Sequence, residues 1–230
     1  MKSVKAICFD LGDTLASTDP PYLHRIAQAM RESGLDISNK DFELVYAKAD
    51  YKLFLKQKEK GGLTPRDYRQ WFLPLIYESL ISENEVDGFR QKVRYAMSKI
   101  DFGRVALPGA HDLLDYLKGK GYRLAVISNN DGRAEEKCEE VQIREYFDIV
   151  LDSTKLDLIK PDSRIFKHAL DKLGLDCREV IHVGDMYGAD VMGGMNAGID
   201  VIWLNHRNIE GLSHPLIKEV AKLSELKEIF

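Results

Sequence analysis

Val4-Lys5-Ala6-Ile7-Cys8-Phe9-Asp10-Leu11-Gly12-Asp13-Thr14-Leu15 is the stretch that decides the fold. An apolar run with β-branched and aromatic members stops at a carboxylate, followed by Gly12, a second carboxylate and Thr14. This pattern predicts a buried strand and a glycine-containing turn. If the strand lies in a parallel sheet, Asp10 stands at its carboxyl end, where open α/β sheets bind ligands. A single Asp in such a place is more often just the start of a turn, so the reading depends on the rest of the chain.

Downstream, Pro20-Pro21 interrupt the chain, and helical spacing then runs to about Phe102. Helices are expected over Tyr22 to Ser33 and Asp41 to Lys58, and a third opens at Thr64-Pro65 with Asp67 placed for a capping box. Ser82 with Glu85 repeats that signature for a fourth helix. Four helices with short joins predict a small bundle, an inserted domain over residues 18–102. From Gly103 strands and helices alternate: Arg123 to Ser128, Phe147 to Leu151, Val180 to Asp185 and Val201 to Leu204 read as strands. The expected fold is therefore α/β, a doubly wound parallel sheet of Rossmann-like type built from residues 1–17 and 103–230, with the helical insert on it.

Composition bounds the function. The 230 residues carry a net charge of −4 with both signs intermingled, which shows no basic face for nucleic acid. Cys8, Cys138 and Cys177 are too dispersed for a structural zinc site and suit a reducing compartment. No apolar run reaches membrane-spanning length and no signal peptide is apparent, so a soluble cytoplasmic protein is expected, of undetermined oligomeric state.

Parallel strands bring Asp10, Ser128 with Asn129, and Asp185 to one sheet edge, and Lys160 follows the third strand. Two like charges about 4 Å apart repel by roughly 4 kcal/mol at an effective dielectric near 20. Asp10, Asp185 and an incoming phosphate dianion therefore need a divalent cation, and Mg²⁺ suits carboxylate and carbonyl oxygens. Lys160 adds a positive charge for the phosphoryl group, which a nearby carboxylate can attack to give an aspartyl phosphate that water then hydrolyses.

These residues resemble the haloacid dehalogenase superfamily along nearly the whole chain. Phe9-Asp10-Leu11-Gly12-Asp13-Thr14-Leu15 is similar to its first motif, Ile127-Ser128-Asn129 to the second, and Lys160-Pro161 to the third. Gly184-Asp185-Met186-Tyr187-Gly188-Ala189-Asp190, with Asn196-Ala197-Gly198 beyond it, is similar to the fourth. The resemblance implies Asp10 as nucleophile, Ser128 and Lys160 at the phosphoryl group, and Asp10, the Gly12 carbonyl, Asp185 and Asp190 around Mg²⁺; Asn129 is expected either to bind the phosphate as well or to shape its loop. Asp190 is expected to act indirectly. The insert falls where subfamily I members carry a helical C1-type cap.

One position departs from the pattern. The family's phosphatases usually carry an acid/base Asp two places after the nucleophile, where this chain has Gly12. The expectation is a phosphatase acting on a small phosphate ester, fastest with good leaving groups, with Asp13 as a candidate stand-in for the lost acid. His182 is expected to be a core histidine. Tyr22, Arg25, Tyr46 and Tyr51 are the candidates for pocket-facing residues. A 2-haloacid dehalogenase, or a catalytically weak member that binds a phosphorylated ligand or a protein partner, are the alternatives.

Overall fold

The computed structural model describes residues 4–230. Ala6–Phe9 (β1) is the centre of a six-stranded sheet whose other strands are Arg123–Ser128 (β4), Ile149–Asp152 (β5), Val180–Gly184 (β6), Asp200–Leu204 (β7) and Lys218–Val220 (β8). The order is β5-β4-β1-β6-β7-β8, and every pairing is parallel. Strand β1 is buried on both faces, which is why it reads as a continuous apolar run. Ile7 and Phe9 pack with Leu113, Leu114 and Leu117 of Ala110–Gly119 (α5). Ala6 and Cys8 pack on the opposite face with Ile165, Phe166 and Ala169 of Ser163–Leu173 (α8). The doubly wound expectation is met.

Register aligns the strand ends. Phe9 pairs with Val126 on one side and Val183 on the other, so Asp10, Ser128 and Asp185 leave the sheet side by side. The chain runs from β1 to β4 on one flank and later to β6 on the other, so this is also the point where strand order reverses.

The helical layer comprises Tyr22–Glu32 (α1), Asn39–Lys60 (α2), Pro65–Tyr77 (α3) and Val86–Met97 (α4). Leu23, Met30, Phe42, Leu53 and Phe72 form its separate core, joined by Ile159 from a loop of the sheet domain. Thr64 and Asp67 make the expected reciprocal capping box. Ser82 makes no side-chain cap; a 3₁₀ turn at Glu83–Glu85 intervenes and α4 starts at Val86, so the second box is not formed.

Two features were not expected. Ala16–Asp19 (β2) and Gly103–Ala106 (β3) pair antiparallel, Asp19 opposite Gly103, so the chain enters and leaves the helical layer through one ribbon. The anticipated limits at 17/18 and 102/103 fall on it. Strand β8 extends the sheet beyond β7, with a polar sequence that gives no strand signal.

Candidate active site

Asp10 follows β1 directly, its N–H donating to Val183 O at 2.9 Å, which seats it between β4 and β6. Lys160 reaches the same point from the loop after Ser153–Leu156 (α7), with only 1 % of its surface exposed. Its ammonium donates to Asp10 Oδ1 and Asp190 Oδ1, both at 2.6 Å. Asn129 holds this loop in place: its Nδ2 donates to Lys160 O at 2.9 Å and its Oδ1 accepts from Lys160 N at 2.8 Å. The Asn129 side chain thus shapes the Lys160 loop, one of its two expected roles, and keeps a second Nδ2 hydrogen for another acceptor. Ser128, at the end of β4, accepts at Oγ a 3.3 Å hydrogen bond from Asn130 Nδ2 and lines the cavity.

The fourth motif does not continue as an α-helix from the strand end. Tyr187–Met192 is a π-helix, an irregularity that tends to mark functional sites. It turns Asp190 back onto the strand, where Oδ2 accepts from Met186 N and Oδ1 from Lys160 and His182, the last two contacts at 2.6 and 3.0 Å. A side chain at Gly184 would collide with the Asp190 carboxylate, so the glycine is required for this return. His182 is fully buried as expected, but it also orients Asp190.

Asp185 accepts from Thr14 Oγ1 at 2.9 Å and from Arg207 Nη1 at 2.5 Å, while Trp203 Nε1 fixes its backbone carbonyl at 3.0 Å. The second Arg207 nitrogen donates to Asp13 Oδ2 at 2.6 Å, and Ser17 Oγ donates to Asp13 Oδ1. Asp13 sits in a left-handed conformation, φ 55°, with both carboxylate oxygens engaged. Gly12 lies beside it on the cavity wall, and a side chain added there would meet open space.

Four carboxylates, Asp10, Asp13, Asp185 and Asp190, thus converge on two cations, Lys160 and Arg207. The imbalance shows in their protonation. Burial raises Asp10, and Asp190 and Asp185 add to the rise against the opposing pull of Lys160, leaving it at about 8. Burial also lifts Asp185, with Arg207 opposing. Burial works against Asp190 too, but Lys160 and His182 outweigh it and hold that carboxyl at about 2. Lys160 remains charged, because its two carboxylates overcome the cost of burial. Asp10, Asp185 and Asp190 each offer a carboxylate oxygen, all within 4.8 Å of one another. An excess of buried negative charge with hard oxygen donors fits a divalent cation such as Mg²⁺.

Two contributors escaped the sequence reading. Arg207 lies on the loop after β7 and had no motif around it; its position just past a central strand end was the available signal. Asp50 belongs to α2, is 1 % exposed and accepts from the N–H groups of Gly188 and Ala189. Its signal was an acid on the stripe Ala47, Asp50, Phe54, whose other members are apolar. Burial pushes Asp50 up to about 8 against the pull of those N–H groups, with Asp190 and Asp185 adding to the rise. Lys40, also on α2, donates to Arg207 O at 2.6 Å and Asn208 O at 2.9 Å. One helix of the insert thus holds the segment that carries Asp190 and the loop that carries Arg207.

A cavity of about 670 Å³ lies between this cluster and the insert. Tyr22, Arg25 and Tyr46 line it as anticipated, joined by Tyr68, whereas Tyr51 packs edge-on against Tyr187, ring centroids 5.5 Å apart.

A strand-end carboxylate, a hydroxyl, a buried lysine and an acidic cluster under a helical layer suit a hydrolase. The chain belongs to the haloacid dehalogenase-like hydrolases, whose family model matches residues 4–198. It is 29% identical over 212 residues to a glyceraldehyde 3-phosphate phosphatase of Pyrococcus abyssi, covering 88% of this chain and 82% of that protein. It is 31% identical over 211 residues to a pyrimidine 5'-nucleotidase of Streptococcus pneumoniae, covering 90% and 86%. Its fold matches a predicted phosphoglycolate phosphatase from Haemophilus somnus with a TM-score of 0.66 at 21% identity, covering 100% of this chain and 99% of that one. No helix among the described residues is long and apolar enough to cross a membrane.

Proposed function

We propose that the protein is a Mg²⁺-dependent phosphatase acting on a small phosphorylated metabolite through an aspartyl-phosphate intermediate. The observation that carries this reading is the convergence of Asp10, Ser128, Lys160 and Asp185 at one sheet edge. The names of the two relatives, a phosphatase and a 5'-nucleotidase, support it. Asp10, Asp185 and the Gly12 carbonyl would hold the metal directly, and Asp190 would act through Lys160. When bound, Mg²⁺ would supply the positive charge that keeps Asp10 ionised and shields the incoming phosphoryl group.

The Asp10 carboxylate attacks phosphorus; its O–P bond forms as the bond to the leaving oxygen breaks. Lys160 stays protonated and places charge on the transferring oxygens, with the Ser128 hydroxyl beside it. The leaving oxygen departs with its electron pair and must find a proton. Gly12 has none to give, and Asp13 is occupied as an acceptor by Arg207 and Ser17. Leaving groups that are stable as anions, such as aryl or acyl oxygens, are therefore favoured over alkoxides. Water then attacks the acyl-phosphate phosphorus, releasing phosphate and restoring Asp10.

The helical layer is proposed to be a cap of the C1 type over residues 18–102. Release of p-nitrophenol from its phosphate tests the reading. Turnover that needs MgCl₂, stops in EDTA and is lost in Asp10→Asn supports it; metal-free halide release from 2-chloropropionate would replace it with the dehalogenase.

A further inference from the structure

Arg25 lies on α1 in the wall of the cavity, with 5 % of its surface exposed. Among the described residues it forms no ion pair. Its hydrogen bond runs from Nη2 to Thr18 Oγ1 at 3.2 Å, its Nε is buried without a partner, and its guanidinium carbon stands 3.8 Å from the centroid of the Phe102 ring. Lys160 and Arg207, on the same cavity, each hold two carboxylates. A guanidinium taken out of water with no anion beside it is costly, and the nearby acid Asp13 is already bound on both oxygens. Among the described residues no carboxylate therefore contacts the Arg25 guanidinium; aromatic rings and the more distant Asp13 are what face it.

Its surroundings deepen the asymmetry. Arg104 stands opposite Thr18 in the β2–β3 ribbon, lines the same cavity, and spends its Nε on Glu140 at 2.8 Å. Arg69, exposed on α3, also lines the cavity and forms no ion pair among the described residues. Burial lowers the affinity of Arg25 for its proton and Arg104 adds to the fall, against the opposing pull of Tyr22 and Asp13. The cavity thus has acids at the sheet edge and three guanidiniums contributed by the insert and the ribbon.

We infer that Arg25, supported by Arg104, binds a second anionic group, a carboxylate or phosphoryl, at the end of the substrate that does not react. The inference rests on the phosphatase reading and narrows it to phosphate esters with two acidic ends. A planar guanidinium with free donors matches either anion in a two-pronged contact.

The test measures binding by calorimetry in Asp10→Asn protein with MgCl₂, where turnover does not interfere. Two matched pairs serve as probes: 3-phosphoglycerate against glycerol 3-phosphate, and fructose 1,6-bisphosphate against fructose 6-phosphate. The doubly anionic member of at least one pair is expected to bind about tenfold to a hundredfold more tightly, the usual worth of a charge-assisted contact. Preference in the first pair alone assigns a carboxylate, and in the second alone a phosphoryl group. Adding Arg25→Gln should abolish the preference, and Arg25→Lys should keep part of it. Equal binding within both pairs, no binding by any probe, or an equal loss for both members in Arg25→Gln would overturn the inference. Failure of the phosphatase reading shows separately, as absent p-nitrophenyl phosphate turnover in the unsubstituted protein.

Discussion

Arg207→Met gives the sharpest test of the charge balance at the sheet edge. The guanidinium contacts Asp185 at 2.5 Å and Asp13 at 2.6 Å and is 9 % exposed, so the substitution strips a nearly buried carboxylate, Asp185, of its cation. Removing one partner of a buried pair costs about 3–5 kcal/mol. Because Asp13 is partly solvated, the lower end applies, and at roughly 2–4 °C per kcal/mol for a chain of this size the melting temperature falls by about 6–12 °C. That loss belongs to the metal-free protein. A divalent cation on Asp10 and Asp185 would replace the missing charge, so Mg²⁺ should bind at least about tenfold more tightly to the variant, with correspondingly greater stabilisation at a given concentration. Thermal unfolding by circular dichroism, in EDTA and across a MgCl₂ titration, measures both quantities. The reasoning is refuted if the variant melts like the parent in EDTA, or if its deficit is the same in EDTA and in saturating MgCl₂.

Asp10→Asn should lower p-nitrophenyl phosphate turnover by at least about a thousandfold, since the attacking oxygen is gone, while the melting temperature holds or rises as a carboxylate leaves a crowded site. Gly12→Asp places a carboxyl where a side chain meets nothing within 4 Å, and turnover of alkyl phosphates should rise by about 10²–10⁴, far more than that of aryl phosphates, in parallel steady-state assays. Asp50, raised to about 8, favours the fold while protonated, so the metal-free protein should lose stability as pH climbs from about 4 through about 8. Urea midpoints across that range should fall less steeply in Asp50→Asn. A parallel decline in both proteins would show that Asp50 is not responsible.

The sheet and the heart of its site could be read because each depends on local patterns that parallel register then aligns. Asp10, Ser128 and Asp185 each follow an apolar run, and three neighbouring strands in register leave them side by side. Lys160 is on no strand; its place depends on Asn129 gripping its backbone, a contact between residues 31 apart that no local pattern encodes. Arg207 and Asp50 carried only faint signals for a related reason: each reaches the site only once β7 or α2 has docked. The ribbon strands and β8 are short, and Ser17-Thr18-Asp19 and Lys218-Glu219 carry polar side chains, so pairing rather than apolar periodicity makes them strands. Ser82 carries the same signature as Thr64, yet only Thr64 is followed at once by an α-helix.

The Asp19–Gly103 pairing has a consequence for how this molecule can be altered. Since the two crossings of the chain are neighbours, the stretch between them is a closed excursion, and no strand of the large sheet depends on its length or content for its own alignment. Such an excursion can change in length or shape without shifting the strands, but α2 within it grips the backbone at Gly188–Ala189 and at Arg207–Asn208, so any replacement must restore those two holds. Detour and sheet are thus independent in strand alignment and coupled at one place, where α2 meets the loops beyond β6 and β7.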